Sequence, residues 1–187
     1  MDTTTGTSRL LEQLTWHWEH QARPRLRGMS DEEYRWEPVP GAWNVRRRED
    51  ATTPMASGAG DWVVDYAWPT PEPAPVTTIA WRLAHVTVGC FGARAHSHFG
   101  GPPADYFTWD YPPDAATALR QLDDGFERWV AGVRGLDDDA LERPVGEAEG
   151  EWASHPMAEL VLHINREAIH HLAEIALLRD LYRAQRR

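Results

Sequence analysis

The chain is predicted to be all-α: an antiparallel four-helix bundle with a long Trp- and Pro-rich insertion between its first two long helices. Three observations predict this. Four segments, near 8–23, 77–99, 114–134 and 157–183, carry apolar residues at helical spacing. The stretch from about Met29 to Pro75 is broken by proline and glycine too often to continue any of them. No internal repeat or heptad seam points to a solenoid or a coiled coil. Helices with one apolar face bury it against one another, and a bundle is the natural result. With 187 residues, the chain is expected to form one domain, 1–187, around a sizeable core.

The first helix places Leu10, Leu11, Leu14, Trp18 and Gln21 on one stripe, with Ser8 as the expected N-cap. Pro24 lacks a backbone donor, so the helix is expected to end or kink there. In the insertion, Ser30-Asp31-Glu32-Glu33 has the form of a capping box. Asp61 to Tyr66 reads as one short strand. The second long helix is apolar on nearly every side, through Ile79, Trp81, Leu83, Val86, Val88, Phe91 and Ala93. Such a helix sits at the centre of its bundle. Its Gly89 and Gly92 leave room for a neighbour or a ligand to approach closely, and Gly100-Gly101-Pro102-Pro103 ends it. Asp114 caps the third helix, whose stripe is Leu119, Leu122, Phe126, Trp129, Val130 and Val133. Asp137-Asp138-Asp139 opens one short turn. The fourth helix follows.

That last helix holds the most informative pattern. Leu160, Ile164, Ala168, Leu172, Ile175 and Leu178 form its stripe, and Glu167 and His171 fall inside it. Four residues apart, they stack one turn from each other on one face. A carboxylate and an imidazole aimed into a core are costly unless paired or bound. A divalent metal is the simplest shared partner. An ordinary hydrogen-bonded pair at a groove would satisfy the same spacing. His163 and Glu174 lie at the edge of the face, and His170 lies further toward solvent. On the second helix His85 is the candidate third ligand, being central in the most apolar segment; a core histidine bonded to a neighbour is the alternative. His163 in place of Glu167 is the rival set. His96 and His98, near the helix end, are expected to be exposed.

Composition excludes several chemistries. The chain has net charge −10, ill suited to nucleic-acid backbones or anionic membrane surfaces. Its 19 basic residues are all Arg, which removes Schiff-base lysine chemistry. A single cysteine, Cys90, rules out an internal disulfide or a CxxC site. It reads as a small buried residue. Arg46-Arg47-Arg48 reads as a solvated turn, with anion binding as the alternative. The start, Met1-Asp2-Thr3-Thr4-Thr5-Gly6, has no signal-peptide pattern, and no apolar run approaches a membrane span. A cytoplasmic protein is expected. Ten Trp is high for this length, and Trp36, Trp43, Trp62 and Trp68 of the insertion are expected to wall a pocket mouth.

Three stretches resemble one family. They are Trp36-Glu37-Pro38-Val39-Pro40-Gly41-Ala42-Trp43-Asn44-Val45-Arg46, then Thr78 to His85, then Glu167 to Tyr182. Together they resemble the DinB-like superfamily of four-helix bundles, which includes thiol-dependent S-transferases and maleylpyruvate isomerases, and within it an actinobacterial-type subgroup. The resemblance implies a divalent metal held by one His of the second helix and a His-x-x-x-His pair of the fourth. His85 matches the first position and His171 the last; Glu167 stands where the commonest pattern has His. Two His and one carboxylate make a competent zinc set with open positions, also compatible with nickel, iron or manganese.

Two functions are therefore expected as alternatives. One is a metal-dependent enzyme in which a low-molecular-weight thiol, mycothiol for an actinobacterial source, attacks a small electrophile. The other is a non-catalytic, small-molecule-binding bundle. A homodimer is expected, with neither a nucleic-acid nor a membrane partner.

Overall fold

In the computed structural model, which describes residues 6–186, four long helices pack side by side. The first, α1 (residues 6–25), is helical from Gly6, so Ser8 lies inside the helix and is not an N-cap. It turns π-helical over Trp18–Ala22 and continues through Pro24 to Arg25. The widened turn accommodates a residue with no N–H, so proline does not stop this helix. The amino-terminal residues 1–5, on which the reading of the leader rested, lie outside the described residues.

The short helix α2 (Asp31–Tyr34) starts at Ser30, whose side chain accepts from Glu33 N–H. The Glu33 side chain does not reach back to complete the capping box; it crosses to Arg179. Two three-residue strands follow, β1 (Val45–Arg47) and β2 (Trp62–Val64), paired antiparallel with Val45 opposite Val64. The strand expected at 61–66 therefore exists, and it has a partner. The triple arginine is not a solvated turn. Arg46 bonds Asp65 and Glu37, Arg48 donates to the carbonyls of Gly58 and Gly60, and Arg47 lies over Trp62.

Helix α3 (residues 79–99) is capped by Thr78, which accepts from Trp81 N–H, and closed by Gly100 at φ +68. Its middle, His85–Gly92, is π-helical. Helix α4 (Ala115–Arg134) is capped by Asp114. A short α5 (Asp138–Glu142), capped by Asp137, leads through two short 3-10 turns over Glu147–Trp152, kinked at Gly150, to α6 (Met157–Ala184).

Each of α1 and α3 packs on both α4 and α6. Directions follow from the contacts. Arg23 meets Asp123 while Trp18 stacks on Phe126, so α1 and α4 are antiparallel. Arg82 meets Glu174 while His85 meets His171, so α3 and α6 are antiparallel too. Leu10 meets Asn165 and Arg25 meets Asp180, which makes α1 and α6 parallel. Phe91 lies against Gly125 and Phe99 against Gly132, so α3 and α4 are parallel. Each of the three connections between long helices is long enough to return the chain along the bundle, which permits this mixture.

The stripe expected on α6 is buried throughout, from Leu160 to Leu178, and meets Leu14, Phe91, Leu122 and Trp129 in the core. Gln21, expected on the α1 stripe, is exposed instead. No helix of the described residues is long and apolar enough to cross a membrane.

Candidate metal centre

Three side chains meet where α3 crosses α6. His85 opens the π-helical stretch of α3; Glu167 and His171 stand one turn apart on α6. One ligand atom from each lies within 4.8 Å of those of the other two. His171 Nε2 and Glu167 Oε2 are 3.6 Å apart, and the His85 and His171 rings meet edge to face at 4.7 Å. The 3.6 Å gap is too long for a good hydrogen bond. It is close to the roughly 3.4 Å edge of a tetrahedron built on bonds of about 2.1 Å. All three side chains are half-buried, so the group is neither core nor open surface. His163 does not join it: it is exposed and bonds Arg166 through Nδ1 at 2.7 Å.

The neighbours orient these groups. Glu174 Oε2 accepts from His171 Nδ1 at 2.7 Å, which leaves Nε2 facing Glu167. A carboxylate behind a ligand imidazole fixes the tautomer that a metal needs. Arg82 in turn pairs with Glu174 and holds it in place. Trp81 stacks on His85 at 5.6 Å and 14°, and Trp81 Nε1–H donates to the Asp65 carbonyl. Asp65, fully buried, accepts from Arg46 and from Asn44 N–H. The insertion thus fixes the ring that fixes His85. Of its four Trp only Trp43, 6.1 Å from Trp81, approaches the site. Trp36 packs on Tyr182, Trp62 sits beneath Arg35 and Arg47, and Trp68 is exposed, so none of these three walls the cluster. Their positions follow from the hairpin and the loop, which residue type alone does not locate.

Electrostatics suit a cation. Burial, with His171 adding to it, pushes His85 down to about 4, with Arg94 and Arg82 acting in the same direction and Glu167 opposing. His85 is therefore neutral near pH 7, the state in which imidazole can ligate. Burial works against the charge of Glu167. The Arg166 hydrogen bond and the charges of His163, His171 and Arg166 outweigh it and hold the carboxyl below its ordinary range. Cys90 Sγ lies 3.8 Å from His85 Nε2, buried, its thiol pushed up to about 12 by burial and then by Glu167. It is no nucleophile in that state.

Sequence reasoning placed His98 at the surface. Its side chain is instead buried and bonds Glu149 at 2.9 Å, and Glu149 also takes Arg94 at 3.1 Å. This network pins the segment 143–156 across the bundle. Beneath it runs a groove of about 750 Å³, lined by Arg94, Val145, Trp152, Leu160, His163 and Arg166 among others. Arg166, on its rim, bonds Glu167, so the groove lies beside the cluster, although none of the three residues lines it. A shallower depression of about 790 Å³ lies between α1 and α6, lined by Leu10, Gln13, Asn165 and Ile169 among others, and shares Arg166 with the groove. A second group, His170, His171 and Glu174, also brings ligand atoms together, but it shares His171, and its His170 is exposed.

Fold and site thus define a four-helix bundle with a two-histidine, one-carboxylate cluster between two of its long helices. A model of the DinB superfamily matches residues 63–175, a span that contains His85, Glu167 and His171. The chain belongs to the DinB superfamily. No curated protein and no solved structure matches it.

Proposed function

We propose that this chain binds one divalent metal ion through His85, Glu167 and His171, zinc first among the candidates, and works as a thiol-dependent S-transferase or isomerase on small electrophiles. The observation that carries the reading is the gap at the centre of the cluster. Two imidazoles and a carboxylate face one another at metal-ligand spacing without closing a hydrogen bond between His171 Nε2 and Glu167. A divalent cation there would supply Lewis acidity and lower the pKa of a thiol reaching its open position.

The chain's own residues do the rest. Glu174 holds His171 in its ligating tautomer, and Trp81 packs against one face of His85. The groove beside Arg166 offers apolar wall through Val145, Leu160 and Trp152 to the organic part of a thiol or electrophile. The low-molecular-weight thiol proposed is mycothiol or a close analogue.

A second reading, ligand binding without turnover, is favoured by one observation. The carboxylates beside the cluster are already engaged: Glu174 by His171 and Arg82, Glu149 by Arg94 and His98. Neither is free to act as a general base. The test is direct. Zinc-loaded protein is given monochlorobimane with mycothiol, glutathione or cysteine in turn. Thiol-dependent conjugation that disappears in His171→Ala supports the enzyme. Saturable thiol binding with no conjugation above background supports the binding protein and overturns the first reading.

A further inference from the structure

His171 has its carboxylate, Glu174. His85 has no carboxylate behind it, and the group that takes that place comes from a loop. Tyr106 Oη lies 2.7 Å from His85 Nδ1. The two ring planes are 11° apart with centroids 6.3 Å apart, so the rings meet end to end through this bond and do not stack face on face. The hydroxyl therefore sits near the imidazole plane, where the Nδ1 hydrogen or lone pair points.

The fold makes room for this contact at one place. A Cβ at Gly89 would come within 2.0 Å of Tyr106 Oη and 2.9 Å of its Cζ. Any side chain there would expel the phenol. One turn on, a Cβ at Gly92 would meet the Ala104 Cβ at 2.8 Å. The two glycines let residues 104–106 lie directly on α3. The loop is held from its own side as well. Asp105 accepts from Phe107 and Thr108 N–H, the Tyr111 hydroxyl donates to the Tyr106 carbonyl, and Trp109 Nε1–H donates to Gln121. Tyr106 is thus delivered to His85 by a braced turn.

We propose that Tyr106, seated over Gly89, is the positioning residue for His85: its hydroxyl accepts from Nδ1–H and so leaves Nε2 with a free lone pair for the metal. This rests on the metal reading given above. A hydroxyl both donates and accepts. Before loading it can donate to Nδ1, with Nε2–H turned to Cys90 Sγ at 3.8 Å; on loading the bond reverses without any heavy atom moving. Phenylalanine keeps the ring and the packing but can do neither.

Two measurements on the full chain test it. In the metal-free protein, 15N spectroscopy of the imidazoles should show His85 Nδ1 hydrogen-bonded in wild type, and Tyr106→Phe should shift that nitrogen while leaving His171 unmoved. Zinc titration by calorimetry should then give Tyr106→Phe an affinity about 10–100-fold weaker, as for other partners behind ligand histidines. Gly89→Ala should reproduce the loss, and cobalt-loaded Tyr106→Phe should show an altered visible absorption. Circular dichroism should remain that of wild type, which separates positioning from unfolding. If Tyr106→Phe binds zinc as tightly as wild type with the same cobalt spectrum, the phenol does not position His85 and the proposal fails. A wild-type chain that takes up neither metal would instead overturn the metal reading itself, and an unshifted His85 nitrogen would defeat the tyrosine's role independently of that.

Discussion

Helix α6 carries two polar clusters into the bundle, eight residues or about 12 Å apart, and they are built to opposite plans. Around Arg179 every nitrogen is engaged. Its Nε and Nη2 meet the two oxygens of Glu33 at 2.6 and 2.8 Å, and its Nη1 donates to the carbonyls of Arg25 and Arg27. The Arg179 side chain is 1% exposed. Around His171 the outer bonds are made and the inner one is left open: Nδ1 is held by Glu174 while Nε2 stops 3.6 Å short of Glu167. A closed network is a staple, satisfied by the chain alone. An open one, whose members are held from behind and face a shared gap, is arranged for something the chain does not supply. The distinction lies in which side of each group is satisfied, since both clusters mix cations with carboxylates.

The largest expected effect lies at the closed cluster. Arg179→Met leaves Glu33 buried with only the exposed Arg183, 3.8 Å away, to answer its charge, and should cost about 3 kcal/mol in urea unfolding, with no change in zinc affinity among molecules still folded. A substitution there that weakened metal binding while sparing stability would erase the contrast. At the open cluster the reverse is expected. Zinc at about a hundredfold over its Kd should stabilise wild type by about 2.7 kcal/mol; His171→Ala and His85→Ala should gain nothing from it, and His163→Ala should gain nearly as much as wild type. Thermal melts with and without zinc read this out.

Glu174→Gln should be milder. It removes the charge behind His171 but keeps a polar group there, so zinc affinity should fall about 10–100-fold, seen by competition with a chelating dye. The smallest effect is one of pH, in the metal-free chain. His85 titrates near 4 when folded against an ordinary 6.5. Between those values the unfolded chain binds the proton and the folded one does not. Its contribution to stability is therefore complete above about pH 6.5 and is lost as pH falls toward 4. Urea midpoints at pH 7 and 4.5 should differ more for wild type than for His85→Gln, and an equal difference would remove His85 from the account.

The contrast also marks what the residues disclosed. The α6 stripe and the four-residue spacing of Glu167 and His171 follow from helical geometry, because both partners ride on one element. His85 followed from its place in the most apolar helix together with the family resemblance. Glu174, three residues past His171, is visible in the sequence as an edge residue, and only its side-chain rotamer turns it toward Nδ1. Tyr106 was not legible at all. It reaches His85 from 21 residues away along an irregular loop, and loops carry no periodicity. The one trace of it in the sequence was Gly89, noted as a place of close approach without any indication of what approached. The same holds for Glu33 and Arg179, 146 residues apart: a capping-box glutamate gave no sign that it would turn to a distant helix. The parallel pairing of neighbouring helices was hidden for a related reason, since helical stripes say which face is buried and nothing about direction.

The central claim is that His85, Glu167 and His171 hold a divalent metal between α3 and α6. Elemental analysis tests it most directly, on protein purified with neither added metal nor chelator, alongside His85→Ala, His171→Ala and Arg179→Met prepared identically. The account predicts about one divalent ion per chain in wild type and in whatever folded Arg179→Met is recovered, and close to none in either histidine variant. Wild type purified in this way without a divalent ion, or histidine variants that carry as much metal as wild type, would contradict it.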